Sequence, residues 1–191
     1  MAAAPQQIQA KDKDQTKGRT KGLIAVFTGN GKGKTTAALG LAFRALGHDH
    51  RVCVIQFIKG SWRYGELEAA RHFQPLLDFH VMGRGFTWKS DDLEKDKAVA
   101  REAWDFAVQT IHANRHELVI LDELTYLSHY QIIAEEEILT VLRNKPPTMH
   151  IAITGRHASE ALIQLADLVT EMREIKHPFQ NGVKAQKGME F

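Results

Sequence analysis

Thr28-Gly29-Asn30-Gly31-Lys32-Gly33-Lys34-Thr35-Thr36 is the stretch whose residue types and spacing most directly imply chemistry. Glycines let successive backbone N–H groups turn toward one anion, and a helix starting at the lysine adds the partial positive charge of its N-terminus. The apolar run Leu23 to Thr28 precedes the loop, and Ala38, Leu39, Ala42 and Leu46 follow it at helical spacing. The loop therefore lies between a strand and a helix, the context that a phosphate loop requires. In this reading Gly29, Asn30, Gly31, Lys32, Gly33, Lys34, Thr35 and Thr36 cradle the triphosphate of ATP. Lys34 reaches the outer phosphates, Lys32 adds a second cation, and the Thr35 hydroxyl ligates Mg²⁺ (or Mn²⁺). The usual pattern, GxxxxGK[ST], has glycine where this chain has Thr28, with Gly29 one place later.

The expected partner of such a loop is present. Leu118-Val119-Ile120-Leu121-Asp122-Glu123 is an apolar strand ending in two acids, and a carboxylate there holds the magnesium ion directly or through water. Asp122 and Glu123 thus join Thr35 as the expected metal ligands. No arrangement resembling Ser–His–Asp and no H-E-x-x-H motif accompanies them, so nothing points to a protein nucleophile or a zinc site.

The elements that must position these residues follow from the apolar pattern. Strands are expected at Leu23 to Thr28, Val52 to Phe57, Phe79 to Met82, Leu118 to Asp122, Met149 to Thr154 and Leu168 to Arg173. Helices are expected at Thr35 to Leu46, Glu66 to Phe73, Asp91 to Asn114, Ala134 to Leu142 and Ser159 to Ala166. Strands alternating with helices predict an α/β fold, a mostly parallel sheet with helices on both faces, in the RecA-like P-loop architecture. Such sheets hold ligands beyond the carboxyl ends of their strands. Here that edge comprises Gly29 to Lys34, Ile58 to Tyr64, Gly83 to Trp88, Asp122-Glu123 and Gly155 to His157.

Length and composition fit one domain. The chain has 191 residues, 43% of them hydrophobic, enough for a single core and too few for two. Met1 to Lys21 has almost no large apolar residue and reads as a flexible N-terminal arm, leaving residues 22–191 as the folded unit. Lys plus Arg exceed Asp plus Glu only by 25 to 23, which argues against a nucleic-acid partner. Cys53 is the only cysteine and no secretory pattern is visible, so the expected compartment is a reducing cytoplasm. The apolar runs are too short to span a membrane.

Taken together, the residues resemble the P-loop type of ATP:corrinoid adenosyltransferases. The matching segments are FTGNGKGKTTAALG from Phe27, VIQFIKGSW from Val54, GFTW from Gly85, VILDELTY from Val119, ITGR from Ile153 and HPFQNGVKAQKGMEF from His177. The resemblance implies that a reduced corrinoid, cob(I)alamin or cobyrinic acid a,c-diamide, attacks the 5′ carbon of ATP and releases triphosphate. It implies that the nucleotide lies in the loop in the reverse of the usual sense. Phe86 and Trp88 become a wedge that displaces the lower axial ligand of cob(II)alamin and so eases its reduction; without the resemblance, packing in the core is the simpler reading for both. Lys34, Phe86 and Trp88 are then the residues expected to carry catalysis. Arg156 contacts phosphate or a corrinoid amide, or is a solvent-facing charge. Lys184 and Lys187 belong either to the site or to a solvated basic tail. The resemblance also implies a reduced flavoprotein as electron donor and a homodimer.

Asp78-Phe79-His80-Val81-Met82-Gly83 matches D-x-H-x-x-G, by which some cobalamin enzymes ligate cobalt through histidine. The residues read as a short strand rather than a loop, and a strong axial donor opposes the ligand-free cobalt this chemistry wants, so the match is rejected. Two other functions are compatible with the loop and Asp122: a small-molecule kinase, and a RecA-like ATPase module acting on DNA or a protein partner.

Overall fold

Ile24-Ala25-Val26-Phe27-Thr28 carries no polar side chain before its last position, and it forms strand β1 (Ile24–Thr28) with all five residues buried. The same holds for β2 (Val52–Gln56) and β4 (Leu118–Asp122), each buried along its whole length. Runs that are apolar on both faces must be covered on both faces, which places these three strands inside a layered sheet. The computed structural model of the chain describes residues 21–60, 64–83 and 93–190. Its remaining elements are α1 (Lys34–Leu46), α2 (Gly65–Ala70), β3 (Leu77–Val81), α3 (Leu93–Ala113), α4 (Thr125–His129), α5 (Glu135–Arg143), β5 (His150–Thr154), α6 (Glu160–Leu165) and β6 (Leu168–Glu171). Short 3₁₀ turns occupy Arg71–Phe73 and Pro178–Asn181.

The six strands form one sheet in the order β3-β2-β4-β5-β1-β6, and every neighbouring pair is parallel. Side chains alternate between its faces. Ile24, Val26, Ile55, Val119, Leu121, Ile151 and Ile153 pack with Trp104 of α3, Leu139 of α5 and Leu162 of α6. Ala25, Phe27, Val54, Ile120 and Ala152 face the opposite way, against Ala38 and Ala42 of α1 and Ala70 of α2. The sheet is thus sandwiched between helices, as the alternating pattern predicts.

Polar groups bind the layers at a few points. The fully buried Trp104 donates its indole N–H to Glu137 Oε1 at 2.7 Å, and Arg101 donates to the same oxygen at 2.6 Å, tying α3 to α5. Lys145 Nζ donates to the carbonyls of Gly22 and Met149 at 2.7 and 2.8 Å, fastening the entry of β1 to that of β5. Asn114, in the left-handed conformation at φ 48°, follows the last residue of α3.

Three local features differ from the pattern-based expectation. Helix α4 is only five residues long, too short to show a hydrophobic period. Strand β6 stops at Glu171, and its residues are exposed at one edge of the sheet. Strand β3 runs from Leu77 to Val81, starting two residues earlier than the apolar cluster Phe79 to Met82 suggests.

Candidate nucleotide-binding and active site

The glycine loop leaves β1 one residue later than the common pattern because β1 itself continues through Thr28. Thr28 is buried, stands opposite Glu171 of β6, and accepts a hydrogen bond from Ala158 N at 3.2 Å. The turn then starts at Gly29 with φ 92°, a conformation that glycine adopts without strain. Gly31 is needed for a different reason. A side chain there would place its Cβ 2.6 Å from the carbonyl carbon of Arg173, where the chain leaving β6 crosses the loop. Gly31 N donates to Met172 O at 2.7 Å across the same contact.

Lys34 opens α1 and folds back into the loop, with Nζ donating to the carbonyls of Gly29 and Gly31, both at 2.7 Å. Burial pushes its pKa down and nearby Arg156 adds to the effect, while Glu123 and Asp122 act in the opposite direction. The ammonium is therefore partly stripped of water and held at the centre of the loop, where its attraction for phosphate is screened less than at the surface.

Thr35 Oγ1 donates to Asp122 Oδ1 at 2.8 Å, joining the loop to the end of β4. Asp122 is fully buried and serves as a hub. Its Oδ1 also accepts from Thr154 Oγ1 at 2.7 Å, and its Oδ2 accepts from Gln56 Nε2 at 2.9 Å. One carboxylate thereby locks the ends of β2, β4 and β5 to the start of α1. Glu123 differs sharply from its neighbour. Its backbone is left-handed, with φ 67°, its N–H donates to Thr154 Oγ1 at 2.9 Å, and its side chain lines the cleft. Burial pushes its carboxyl up to about pH 7, the Asp122 charge contributing next, against the pull of Lys59, Lys34 and Arg156.

These elements enclose a cleft of about 570 Å³. Lys32, Gly33, Lys34, Thr35 and Thr36 form one wall; Lys59 and Glu66 stand on another, with Glu123, Tyr126 and Arg156 between them. Gly155 fits only as glycine, since a Cβ there would lie 2.0 Å from Thr125 Oγ1. Thr125 Oγ1 donates to the Arg156 carbonyl at 2.5 Å and so fixes the backbone that presents Arg156. Gly188, Met189 and Glu190 of the C-terminal segment close the cleft, and Glu190 pairs with Lys32 at 2.5 Å.

Of the residues expected from sequence, Lys32, Gly33, Lys34, Thr35, Thr36, Glu123 and Arg156 line this one cleft, and Asp122 lies directly behind it. Asn30 is exposed on the loop, and Lys184 and Lys187 are exposed in the C-terminal segment and do not line the cleft. Phe86 and Trp88 lie outside the described residues. The hydroxyl of Thr35 and the two carboxylates are hard oxygen donors. They suit a cation such as Mg²⁺, which takes one or two carboxylates and completes its shell with phosphate and water oxygens. Lys59, Glu66, Tyr126 and Glu190 were not singled out by sequence, nor were Gln56 and Thr154. The last two carry a legible sign: each is the polar residue that ends a strand after three apolar, buried residues. Asp78 and His80 lie in β3, with Asp78 paired to His116 Nε2 at 2.7 Å and the His80 ring edge-on to Phe106, so the D-x-H-x-x-G match is indeed a strand.

A family model of the ATP:corrinoid adenosyltransferase BtuR/CobO/CobP matches residues 20–191. The chain belongs to this family. Corrinoid adenosyltransferases from a Sinorhizobium species and from Escherichia coli K12 are 44% and 42% identical to it. The alignments cover 99% of this chain and 87% of the Sinorhizobium protein, and 97% of both chains for Escherichia coli. The corrinoid adenosyltransferase CobA of Salmonella typhimurium is 42% identical, again over 97% of both. An adenosyltransferase needs no protein nucleophile, and the cleft of this one is built from cations, acids and loop amides instead.

Proposed function

We propose that this adenosyltransferase uses the loop from Gly29 to Thr36 to hold the triphosphate of ATP as a leaving group, while a reduced corrinoid attacks at the far end of the phosphate chain. The observation that carries this reading is the continuous path Gly29/Gly31 carbonyls–Lys34 and Thr35–Asp122, which sets a cation and a hydroxyl on one anion-shaped cleft. The substrate's cob(I) centre supplies the electron pair. The cobalt–carbon bond forms at C5′, the C5′–oxygen bond breaks, and its electrons leave on the triphosphate. Charge on that group is met by Lys34, Lys32 and Arg156, all preorganised around the cleft before ATP arrives. Mg²⁺ or Mn²⁺ at Thr35, Asp122 and Glu123 would neutralise part of the same charge. Binding both substrates in one orientation supplies the rest of the acceleration.

Several parts of the proposal rest on the family resemblance. Phe86 and Trp88 form the wedge at the lower face of the corrinoid, which is cobalamin or cobyrinic acid a,c-diamide. A reduced flavoprotein delivers the electron, and the enzyme works as a homodimer in the cytoplasm. The exposed Leu23, Leu168 and Val169 beside edge strand β6 supply apolar surface suited to self-association. None of the described helices is long and apolar enough to cross a membrane. No nucleic-acid partner is proposed, consistent with the near balance of charges.

Product analysis tests the central claim. Incubation with ATP and cob(I)alamin should yield inorganic triphosphate and adenosylcobalamin in equal amounts; ADP as the phosphate-bearing product would instead indicate a kinase. The wedge has its own signature. Phe86→Ala and Trp88→Ala should each lose about tenfold or more when the reaction starts from cob(II)alamin, and much less with pre-reduced cob(I)alamin, a difference of at least ~1.4 kcal/mol in barrier. Equal losses in both assays would remove the wedge role.

A further inference from the structure

The C-terminal segment meets the glycine loop first at the sheet and again at its own far end. Leaving β6 it runs beside the loop, with Gly31 N donating to Met172 O and Met172 N donating to Thr28 O at 2.8 Å. It then turns through the 3₁₀ helix Pro178–Asn181 and the left-handed Gly182. From there it returns to the cleft, where Glu190 pairs with Lys32 inside the loop.

Little else holds that return in place. Met189 lines the cleft yet is 80% exposed, so no apolar burial anchors it. Val183 N donates to Pro178 O, and Met189 N and Glu190 N both donate to Gln186 O, all within the segment itself. Among the described residues, the Lys32–Glu190 pair is the single polar bond tying residues 183–190 to the protein outside the C-terminal segment. The side chain of Glu190 is correspondingly the part drawn in, only 19% exposed.

This pair stands where a phosphate must go. A carboxylate and a phosphate both need Lys32, and two anions on one ammonium repel each other. Glu190 is tethered, so it meets Lys32 at a high effective concentration. Triphosphate has no tether, but it also engages Lys34, Arg156 and the loop amides. An ion pair this close to solvent is weak, so the internal anion competes with the incoming one without excluding it.

We propose that Glu190 is a phosphate stand-in that latches the C-terminal segment over the empty loop, and that triphosphate displaces it and frees residues 183–190. The proposal rests on the reading that Gly29 to Thr36 hold the triphosphate. The latch opens for the phosphates of ATP and closes again on Lys32 as triphosphate departs. The leaving group is thereby exchanged for an anion that belongs to the chain, which keeps the cations of the loop from trapping the product. Because the closed latch blocks Lys32, the apparent affinity for triphosphate is reduced in proportion to the open fraction. A weak pair favours the closed form modestly, so full release raises the open fraction about two- to fivefold.

Trypsin cleavage after Lys184 and Lys187, both exposed, reads that fraction, since proteolysis of a locally opened segment follows its population. In the full-length wild-type enzyme, saturating inorganic triphosphate should speed cleavage at these bonds, followed by mass spectrometry, about two- to fivefold, where an ordinary ligand slows it. Glu190→Gln should be cleaved without triphosphate at the rate wild type reaches with it, and triphosphate should not speed it further. By calorimetry the same variant should bind triphosphate more tightly, by the factor by which cleavage rises. Glu190→Asp, which keeps the charge on a shorter stem, should fall between the two. Unchanged or slower cleavage of wild type with triphosphate, or weaker triphosphate binding by Glu190→Gln, overturns the latch and leaves the loop reading in place. Failure of triphosphate to compete with ATP in wild type overturns the loop reading and the latch with it.

Discussion

Lys34→Met should lower adenosyl transfer by about 10²–10³-fold, corresponding to roughly 3–4 kcal/mol of lost charge stabilisation. The size follows from where the ammonium sits. Its two hydrogen bonds to loop carbonyls hold it centrally, and its pKa is depressed first by burial and then by Arg156. A partly desolvated cation interacts more strongly with a developing anion than a surface lysine does. Methionine keeps the unbranched stem, one atom shorter, and removes the charge and the donors, so the glycine loop should stay folded. Steady-state rates with ATP and cob(I)alamin, together with inhibition by inorganic triphosphate, measure the effect. Triphosphate should lose most of its potency along with the rate. A rate that falls while triphosphate still binds as in wild type would place Lys34 outside the phosphate contact. Lys34→Arg should rescue poorly, because the planar fork of arginine does not fit a pocket shaped around a point charge with two carbonyl acceptors.

The architecture was legible because its signals are strong and local. Leu118-Val119-Ile120-Leu121 is the most convincing buried strand in the sequence, and the glycines after Thr28 announce the turn into α1. The same features bring Lys34, Thr35 and Asp122 together, so the centre of the site followed from its motifs. The division of labour between Asp122 and Glu123 did not. In sequence they are two acids ending a strand; in space Asp122 accepts from three donors behind the cleft and Glu123 turns into the cleft through a left-handed residue. Nothing in local composition separates a carboxylate that organises from one that faces ligand, because the difference lies in Gln56 and Thr154, 66 and 32 residues away. Glu66 escaped for a related reason, and Lys59 was placed only as part of the Ile58 to Tyr64 edge: neither is marked out as a site residue until the sheet order sets both beside the loop of β1. The return of Gly188 to Glu190 over the cleft has no periodic pattern behind it, and only the fold reveals it.

Glu123→Gln should make the ligand-free protein more stable at pH 8 while impairing catalysis. The carboxyl titrates near pH 7 in the folded chain against an ordinary value of 4.5, chiefly because burial disfavours its charge and Asp122 repels it. Between those two values the folded state holds a proton that the unfolded state has released, so wild-type stability falls as pH rises across this window and levels off above about 7. A shift of this size corresponds to at most about 3 kcal/mol, less whatever solvent reaches the partly exposed side chain. Glutamine carries no charge at any pH, so the variant should melt several degrees above wild type at pH 8, at about 2–4 °C per kcal/mol, and converge with it near pH 5. Measured without ATP or divalent cation, the difference between the two melting curves isolates the carboxylate. In the transfer reaction the same substitution removes an anionic oxygen from the proposed metal site facing Thr35, and a loss of about 10–100-fold is expected from weakening a metal contact. The stability gain and the activity loss then have one origin: a charge kept where the fold alone would reject it, because the ligands that arrive there are cationic on one side and phosphorylated on the other. A melting difference that does not change between pH 5 and pH 8 would show that the Glu123 carboxylate is not the destabilising group.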